Sequence, residues 1–407
     1  MAGSVLGSLA LSYRLLWGQR RRVAGAQLWM DTPQGQRVDA AALVSALEAF
    51  DFRARLPLLL SVPALPLLAD LLTQTPPAGC WITVPEFALQ DPAILRRTKE
   101  AWQRGVRLVW QGGPGSRPPA GLAPCFTRNM LTLSPQEALS CLRTSLRQPL
   151  GGRSRGLPES VSPVQPGQIY EDVPSGLLAD HCLDEGQAWA LSGWPLEEVL
   201  HGARQARSQP ARSVILQLLD ALEADGFTEP LEPWLEDDPV LAYRLLRFAN
   251  SAALGLRTPI ESLHDALQVI GRVQLRAWLQ DQLSQASTQP NLQAVRGTMA
   301  LRARLMVAML DGAASDELRS EVLLCGLLSQ IDLLLGEPLH DVLGRLPLPA
   351  RITETLLGQA GPYLPLIEMA VALEHPGMQD APDLCKALGL QPETVNQALL
   401  HTLSHMH

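Results

Sequence analysis

Short apolar runs and longer helical stripes alternate over the first half of the chain. Residues 56–62, 80–84 and 106–110 are compact apolar runs, each ending at Pro, Gly or a polar cluster, and they read as buried strands. Residues 40–50 and 91–104 carry helical spacing between them. The second opens well, with Asp91 as N-cap and Pro92 at the first helical position. Strands alternating with helices predict a parallel α/β unit. Residues 148–163 are rich in Gly, Pro, Ser and Arg and read as a loop or exposed insertion, and a mixed stretch follows to Glu198. From Ser208 onward every apolar stripe has helical spacing, interrupted by Pro and Gly stops, with no repeat of fixed period.

The best-formed local pattern spans residues 237–279. Asp238 caps a helix whose first turn holds Pro239, and Leu241, Leu245 and Phe248 share one face. Asn250 and Ser251 close it, and Gly255 lies beyond. Ser262-Leu263-His264-Asp265 opens a second helix with Leu263, Ala266, Leu267 and Ile270 on one stripe. Gly271 interrupts that stripe before Leu275 and Trp278.

Composition narrows the class. The 407 residues suffice for two or three domains. With 46% apolar but only 5% aromatic residues, the core must be mostly Leu, Ala and Val. No apolar run reaches the roughly 18–20 residues that cross a bilayer. Residues 1–17 lack a basic lead and carry Arg14, which argues against a secretory signal, so a cytoplasmic location is expected. Cys80, Cys125, Cys141, Cys182, Cys325 and Cys385 form no C-x-x-C pair and read as reduced, buried thiols.

Charge is divided along the chain. Residues 1–160 hold 18 Lys and Arg against 10 Asp and Glu, and the remainder is acidic enough to bring the whole to −8. Either the basic part meets an anion such as a nucleotide, or the two parts dock on each other. Opposite surface fields steer docking without any ligand, which favours the second. No helix-turn-helix with a basic reading helix stands out, which argues against nucleic acid. Arg20-Arg21-Arg22 reads as a turn between strands, and Gly112-Gly113-Pro114-Gly115 as another turn. Walker-type and G-x-S-x-G motifs are absent.

The string D-P-x-L-x-x-R-L-L-R-x-A-N-S over residues 238–251, a P-I-x-S-L link, then A-L-x-x-I-G-x-x-x-L over 266–275 closely resembles the HDOD family. That resemblance implies an all-α fold related to HD-type metal phosphohydrolases but generally without their metal ligands. In catalytic relatives a His-Asp pair ends an apolar helix in a context like G-L-L-H-D-I-G. Here the context is Gly326-Leu327-Leu328-Ser329-Gln330-Ile331-Asp332, so Ser329 and Gln330 stand at the pair. A hydroxyl and a carboxamide bind divalent metals weakly. His264-Asp265 is better read as part of a capping box on Ser262, and His340-Asp341 as the first turn of a helix after Pro338. His401 and His405, four apart, read as a frayed polar terminus.

The first half resembles EAL-type cyclic-di-GMP phosphodiesterases, α/β barrels whose carboxylates and an Asn hold metal at the C-terminal strand ends. The Glu of Glu-Ala-Leu maps to Gln27, the Asn of the next strand to Ser61, the Glu of V-L-E-I to Thr83 and the paired Asp to Gln111-Gly112. An E-G-V-E element maps to Glu171-Asp172-Val173-Pro174, and Q-G-Y to Ser192-Gly193-Trp194. Nearly every ligand position is neutral, whereas a two-metal site needs several carboxylates.

The whole is similar to the YuxH-like group of EAL–HDOD hybrid signalling proteins. The expected fold is a degenerate, shortened EAL-like α/β barrel over residues 1–203, then an all-α HDOD domain over 204–407. The expected role is a non-catalytic bacterial regulatory protein without cofactor or metal, partnered by signalling proteins still to be identified. Its polar interaction surface is expected around Arg244, Arg247, Asn250 and Ser251. Two alternatives stand beside it. One is a cyclic-di-GMP receptor that does not hydrolyse; the other is a metal-dependent phosphohydrolase using His264, Asp265, His340 and Asp341.

Overall fold

The computed structural model describes every residue except 1–4, 33–36, 53–55, 148–161, 204–208, 225–230, 311, 359, 377–380 and 407. The expectation for residues 148–161 therefore falls outside the described residues. Two compact units emerge: Met1–Pro195 together with Ala372–His407, and Leu196–Val371.

The first unit is built on a closed barrel of eight strands in chain order. These are β1 (Ala10–Trp17), β2 (Val23–Asp31), β3 (Leu58–Ser61), β4 (Cys80–Pro85), β5 (Leu108–Gly112), β6 (Phe126–Thr132), β7 (Ile169–Glu171) and β8 (Ala190–Ser192). β1 runs antiparallel to β2 and β8, and every other neighbouring pair is parallel. Parallel strands are covered on both faces, so they read as continuous apolar runs. All four residues of β3, Leu-Leu-Leu-Ser, are buried accordingly. The expected shortening lies in the connections. All eight strands fit within residues 10–192, against about 250 residues for an ordinary (β/α)8 barrel. β1 meets β2 through the tight turn Gln19–Arg21, and β5 reaches β6 with only the 3-10 turn Ala123–Cys125.

The apolar pattern found β3, β4 and β5, and the helices Ala40–Glu48 and Pro92–Gln103 that lie between strands. Asp91 caps the latter by accepting from the Ala93 amide at 2.8 Å. Five strands escaped the pattern. β7 and β8 have three residues each, and β1 and β2 mix polar and apolar positions. The Arg20–Arg22 cluster sits at the β1–β2 turn. There Arg21 is buried against Asp180 and Asp184, with a 2.7 Å contact to the latter.

The second unit contains helices and no strand among the described residues, apart from an isolated bridge between Ala211 and Ser287. Its centre is the helix Pro239–Ala249, capped by Asp238, whose carboxylate accepts from Val240 and Leu241. The helix Leu263–Gln285 breaks at Gly271, where φ 67 and ψ 164 suit a residue without Cβ. Helices Asn291–Ala308 and Asp316–Leu328 approach closely, and a Cβ on Gly326 would lie 2.5 Å from the Ala303 Cα.

The division differs from the expected one after residue 203. It falls at Pro195–Leu196, and residues 372–407 belong with the barrel rather than with the helical unit. Helical spacing identifies a helix but not what it packs on. Helix Pro392–Ser404 lies against the Val5–Ser8 turn and β1. Asn396, only 3% exposed, donates its two amide hydrogens to the carbonyls of Leu6 (2.7 Å) and Leu9 (2.8 Å).

Leu59 is fully buried inside the barrel, whereas Val273 on the helical unit is 88% exposed. Leu59→Ala is expected to cost about 2–5 kcal/mol in urea unfolding through the cavity it leaves. Val273→Ala is expected to stay within about 0.5 kcal/mol. Equal effects of the two would contradict this packing.

Candidate functional site at the barrel mouth

The barrel interior is ordered in two layers by the two-residue period of its strands. Leu16, Leu59, Trp81, Val109, Met130, Ile169 and Ala190 form one buried apolar cluster. Two residues further along each parallel strand the inward position turns polar: Ser61, Thr83, Gln111, Thr132, Glu171 and Ser192. On antiparallel β1 the same step runs backwards, from Leu16 to Arg14, and β2 adds Gln27, the register partner of Arg14. Each strand thus supplies one member of a polar ring at the C-terminal ends of the parallel strands, where barrel enzymes place their chemistry.

The positions expected at the site come together here. The Gln27 amide donates to Ser61 Oγ at 2.9 Å, and its carbonyl accepts from Ser192 Oγ at 2.7 Å. Ser61 Oγ donates to Thr83 Oγ1 at 3.1 Å. All four side chains are buried. Across the ring, Gln111 donates to Glu171 Oε2 at 3.0 Å and Thr132 to Glu171 Oε1 at 3.2 Å. Burial, and then the neighbouring Asp172, raises the Glu171 carboxyl above its ordinary range; bonds from Gln111 and Thr132 and the Arg14 charge act against that rise. Asp172, at φ 53, lies in the left-handed region and pairs with Arg14 at 2.9 Å, while Arg14 also covers the Trp29 ring. Arg14 and Thr132 were not anticipated. The signal was present: each lies two residues from an apolar interior position, but only the register reveals it.

The EAL resemblance implies two divalent cations at this ring. Gln27 spends both ends of its amide on neighbours, and Ser61 and Thr83 bond each other. Glu171, half-buried, is the one carboxylate among the ring positions. Among the described residues no three His, Cys, Asp or Glu side chains are grouped to hold a metal ion. Neutral, mutually satisfied donors do not fit a two-metal centre, which needs several carboxylates to offset the cations. What the ring does offer is two hydrogen-bonded groups, Gln27–Ser61–Thr83–Ser192 and Gln111–Glu171–Thr132, with an arginine at its rim.

In the helical unit, Asp238 is fully buried and faces Arg296 at 3.5 Å, and it also accepts from the Ala211 amide. Asn250 spends both ends of its amide on Ile260, donating to the carbonyl (2.8 Å) and accepting from the N–H (2.8 Å), which fixes the link to the next helix. These features belong to residues 210–337, which match the HDOD domain family. The chain thus carries an HDOD domain after an EAL-like eight-stranded barrel. The chain is 26% identical over 180 residues to the uncharacterized protein YuxH of Bacillus subtilis, covering 43% of this chain and 42% of that one. It is 25% identical over 170 residues to the cyclic di-GMP phosphodiesterase CdgJ of Vibrio cholerae, covering 42% and 39%. The match thus spans about two fifths of each curated relative. Among solved structures, the response regulator MmoQ of Methylococcus capsulatus aligns with 47% of this chain and 98% of its own, at 19% identity and a TM-score of 0.41.

Within the HDOD segment, Ser329 caps its own helix end, donating to the Gly326 carbonyl at 2.8 Å, and accepts from Arg302 at 3.4 Å. Gln330 precedes the short helix Ile331–Leu335. His264 and Asp265 are structural: Asp265 and Ser262 form the capping box, and His264 contacts Glu232 at 2.8 Å. His340 is 83% exposed beside Asp341. The two pairs are not brought into one ligand group. His401 and His405 stack at 4.2 Å in the C-terminal helix and its end. Of the expected interaction surface, Ser251 bonds the Phe248 carbonyl, and Arg244 bonds Gln282 and Gln209 within the unit. Arg247 is the exposed member, close to the Tyr243 ring. All six cysteines are buried and unbridged. Burial pushes the Cys80, Cys182 and Cys325 thiols up to about 12, so they remain protonated at neutral pH.

Gln27→Ala is expected to cost about 1–3 kcal/mol in chemical unfolding, because Ser61 and Ser192 lose a buried partner. An unchanged midpoint would show that the network contributes nothing. Glu171 titrates above an ordinary glutamate, so the folded protein holds this proton more tightly than the unfolded chain. Stability therefore falls as pH rises from the ordinary glutamate range through the raised folded value. Glu171→Gln should flatten that fall and raise the thermal midpoint at neutral pH.

Proposed function

We propose that this hybrid is a non-catalytic, cytoplasmic protein of cyclic-di-GMP signalling that acts through contacts with other proteins. The observation that carries the reading is the neutral network Gln27–Ser61–Thr83–Ser192 at the barrel mouth, where metal-holding carboxylates would be needed for hydrolysis. The curated relative CdgJ, a cyclic di-GMP phosphodiesterase by name, supports the signalling class. No helix among the described residues is long and apolar enough to cross a membrane, which is in keeping with the location. The charge split between residues 1–160 and the remainder supports docking, either between the two parts or with a partner of opposite field.

The Arg14 rim above the ring favours one second reading, a receptor that binds the dinucleotide without cleaving it. Titration calorimetry with cyclic-di-GMP, with and without Mg²⁺ or Mn²⁺, followed by chromatography of the nucleotide, separates the cases. The expected result is no linear dinucleotide under any condition. Heat of binding without product would select the receptor reading. Metal-dependent turnover would overturn the proposal.

A further inference from the structure

Away from the polar ring, one buried histidine of the barrel unit is gripped at both ring nitrogens. His181 opens the π-turn His181–Glu185 that continues helix Gly176–Asp180, and its side chain is fully buried. A π-turn shifts side chains off the regular helical spacing and is frequent at functional sites. Asp180 and Asp184 both hold the buried Arg21, which fixes this turn against the β1–β2 connection. Ser162 Oγ lies 2.8 Å from His181 Nε2. On the other side, Glu185 Oε2 lies 2.8 Å from Nδ1. Ser145 Oγ is also 2.8 Å from Nδ1.

The proton positions follow from these partners. An ionised carboxylate only accepts, so Nδ1 carries the hydrogen and donates to Glu185. Ser145 gives its own hydrogen to the Cys141 carbonyl at 3.3 Å and accepts from Nδ1 as well. That leaves a lone pair on Nε2, which accepts the hydroxyl hydrogen of Ser162. The Ser162 oxygen in turn accepts from the Val164 amide at 3.2 Å. Serine, imidazole and carboxylate thus stand in the order that activates a hydroxyl nucleophile, an order recognised by geometry and not by the fold that carries it. Cys141 is fully buried beside them, and burial pushes its thiol up to about 11, so it stays protonated at neutral pH. Ser162 is half-buried, so a carbonyl compound from outside reaches it while His181 stays covered.

We infer that Ser162 is a reactive serine that takes up an acyl group from small activated esters or thioesters and keeps it. Its oxygen attacks the carbonyl carbon, and the bond from that carbon to the leaving oxygen or sulfur breaks. The serine proton passes to His181 Nε2 and then to the departing alcohol or thiol, so the imidazole ends neutral. Removing the acyl group needs a water at Nε2. That nitrogen faces Ser162 inside a fully buried side chain, so the acyl group stays. The outcome is a covalent mark and not turnover. It stands beside the non-catalytic reading of the polar ring and does not rest on it.

Mixing the full chain with p-nitrophenyl acetate tests this. The expected result is a burst of about one equivalent of nitrophenolate, no further release, and an acetyl group on Ser162 by peptide mass spectrometry. Ser162→Ala should abolish both. Glu185→Gln keeps the side-chain shape but can offer an amide hydrogen to Nδ1, so it should slow the burst about a hundredfold with an unchanged thermal midpoint. Heteronuclear NMR of histidine-labelled protein should place the His181 proton on Nδ1, and Glu185→Gln should remove that preference. No burst from the folded protein, acetyl groups on other residues only, or a His181 proton on Nε2 would each overturn the inference. Continued nitrophenolate release that depends on Ser162 would overturn the retained mark. An undiminished burst in Glu185→Gln would overturn the positioning role of that carboxylate.

Discussion

Closing a sheet into a barrel creates an interior that side chains must fill and in which every buried polar group must find a partner. That constraint governs the barrel unit. One layer of apolar side chains fills the cross-section, and the next inward step along the strands is polar. Beside an apolar floor such groups have few partners except one another. Hence Gln27 on β2 joins the adjacent β3, through Ser61, to β8, through Ser192, and Thr83 extends the chain. A carboxamide suits this position because it donates and accepts at once, whereas an ionised carboxylate only accepts. A ring of carboxylates at the same depth would repel one another without cations. The neutral ring is self-sufficient, and this separates keeping the barrel from keeping a metal.

Glu171 shows what the exception costs. It keeps two neutral donors, Gln111 and Thr132, and the nearby Arg14 charge, yet burial still dominates and favours its proton. Three sources of help do not fully replace water around one carboxylate. Several such groups would need stronger compensation than the amides and hydroxyls present here can give.

What the sequence made legible follows the range of the interactions involved. The cap of Asp238 on Val240 and Leu241, the Ser262–Asp265 box and the break at Gly271 are local, and each was readable from neighbouring letters. The ligand positions Gln27, Ser61, Thr83 and Gln111 were readable through family resemblance, and the fold brings them to one ring. Arg14 and Thr132 were not, because their membership depends on strand register. β7 and β8 were not, because three residues carry too little periodicity to register. The place of helix Pro392–Ser404 was least legible of all: nothing near Asn396 announces that its partners are carbonyls some 390 residues earlier.

Asn396 also changes what counts as a domain. The local pattern places residues 372–407 with the helices that precede them, but free energy assigns them by what they bury and satisfy. Two carbonyls at the entrance to β1 lie beneath the final helix, and both accept from the Asn396 side-chain amide of that helix. A cut after residue 203 would leave those carbonyls and the apolar face of β1 without cover, a penalty borne by the barrel rather than by the helices removed. The barrel unit is therefore discontinuous in sequence, and the HDOD segment stands between its last strand and its own closing helices.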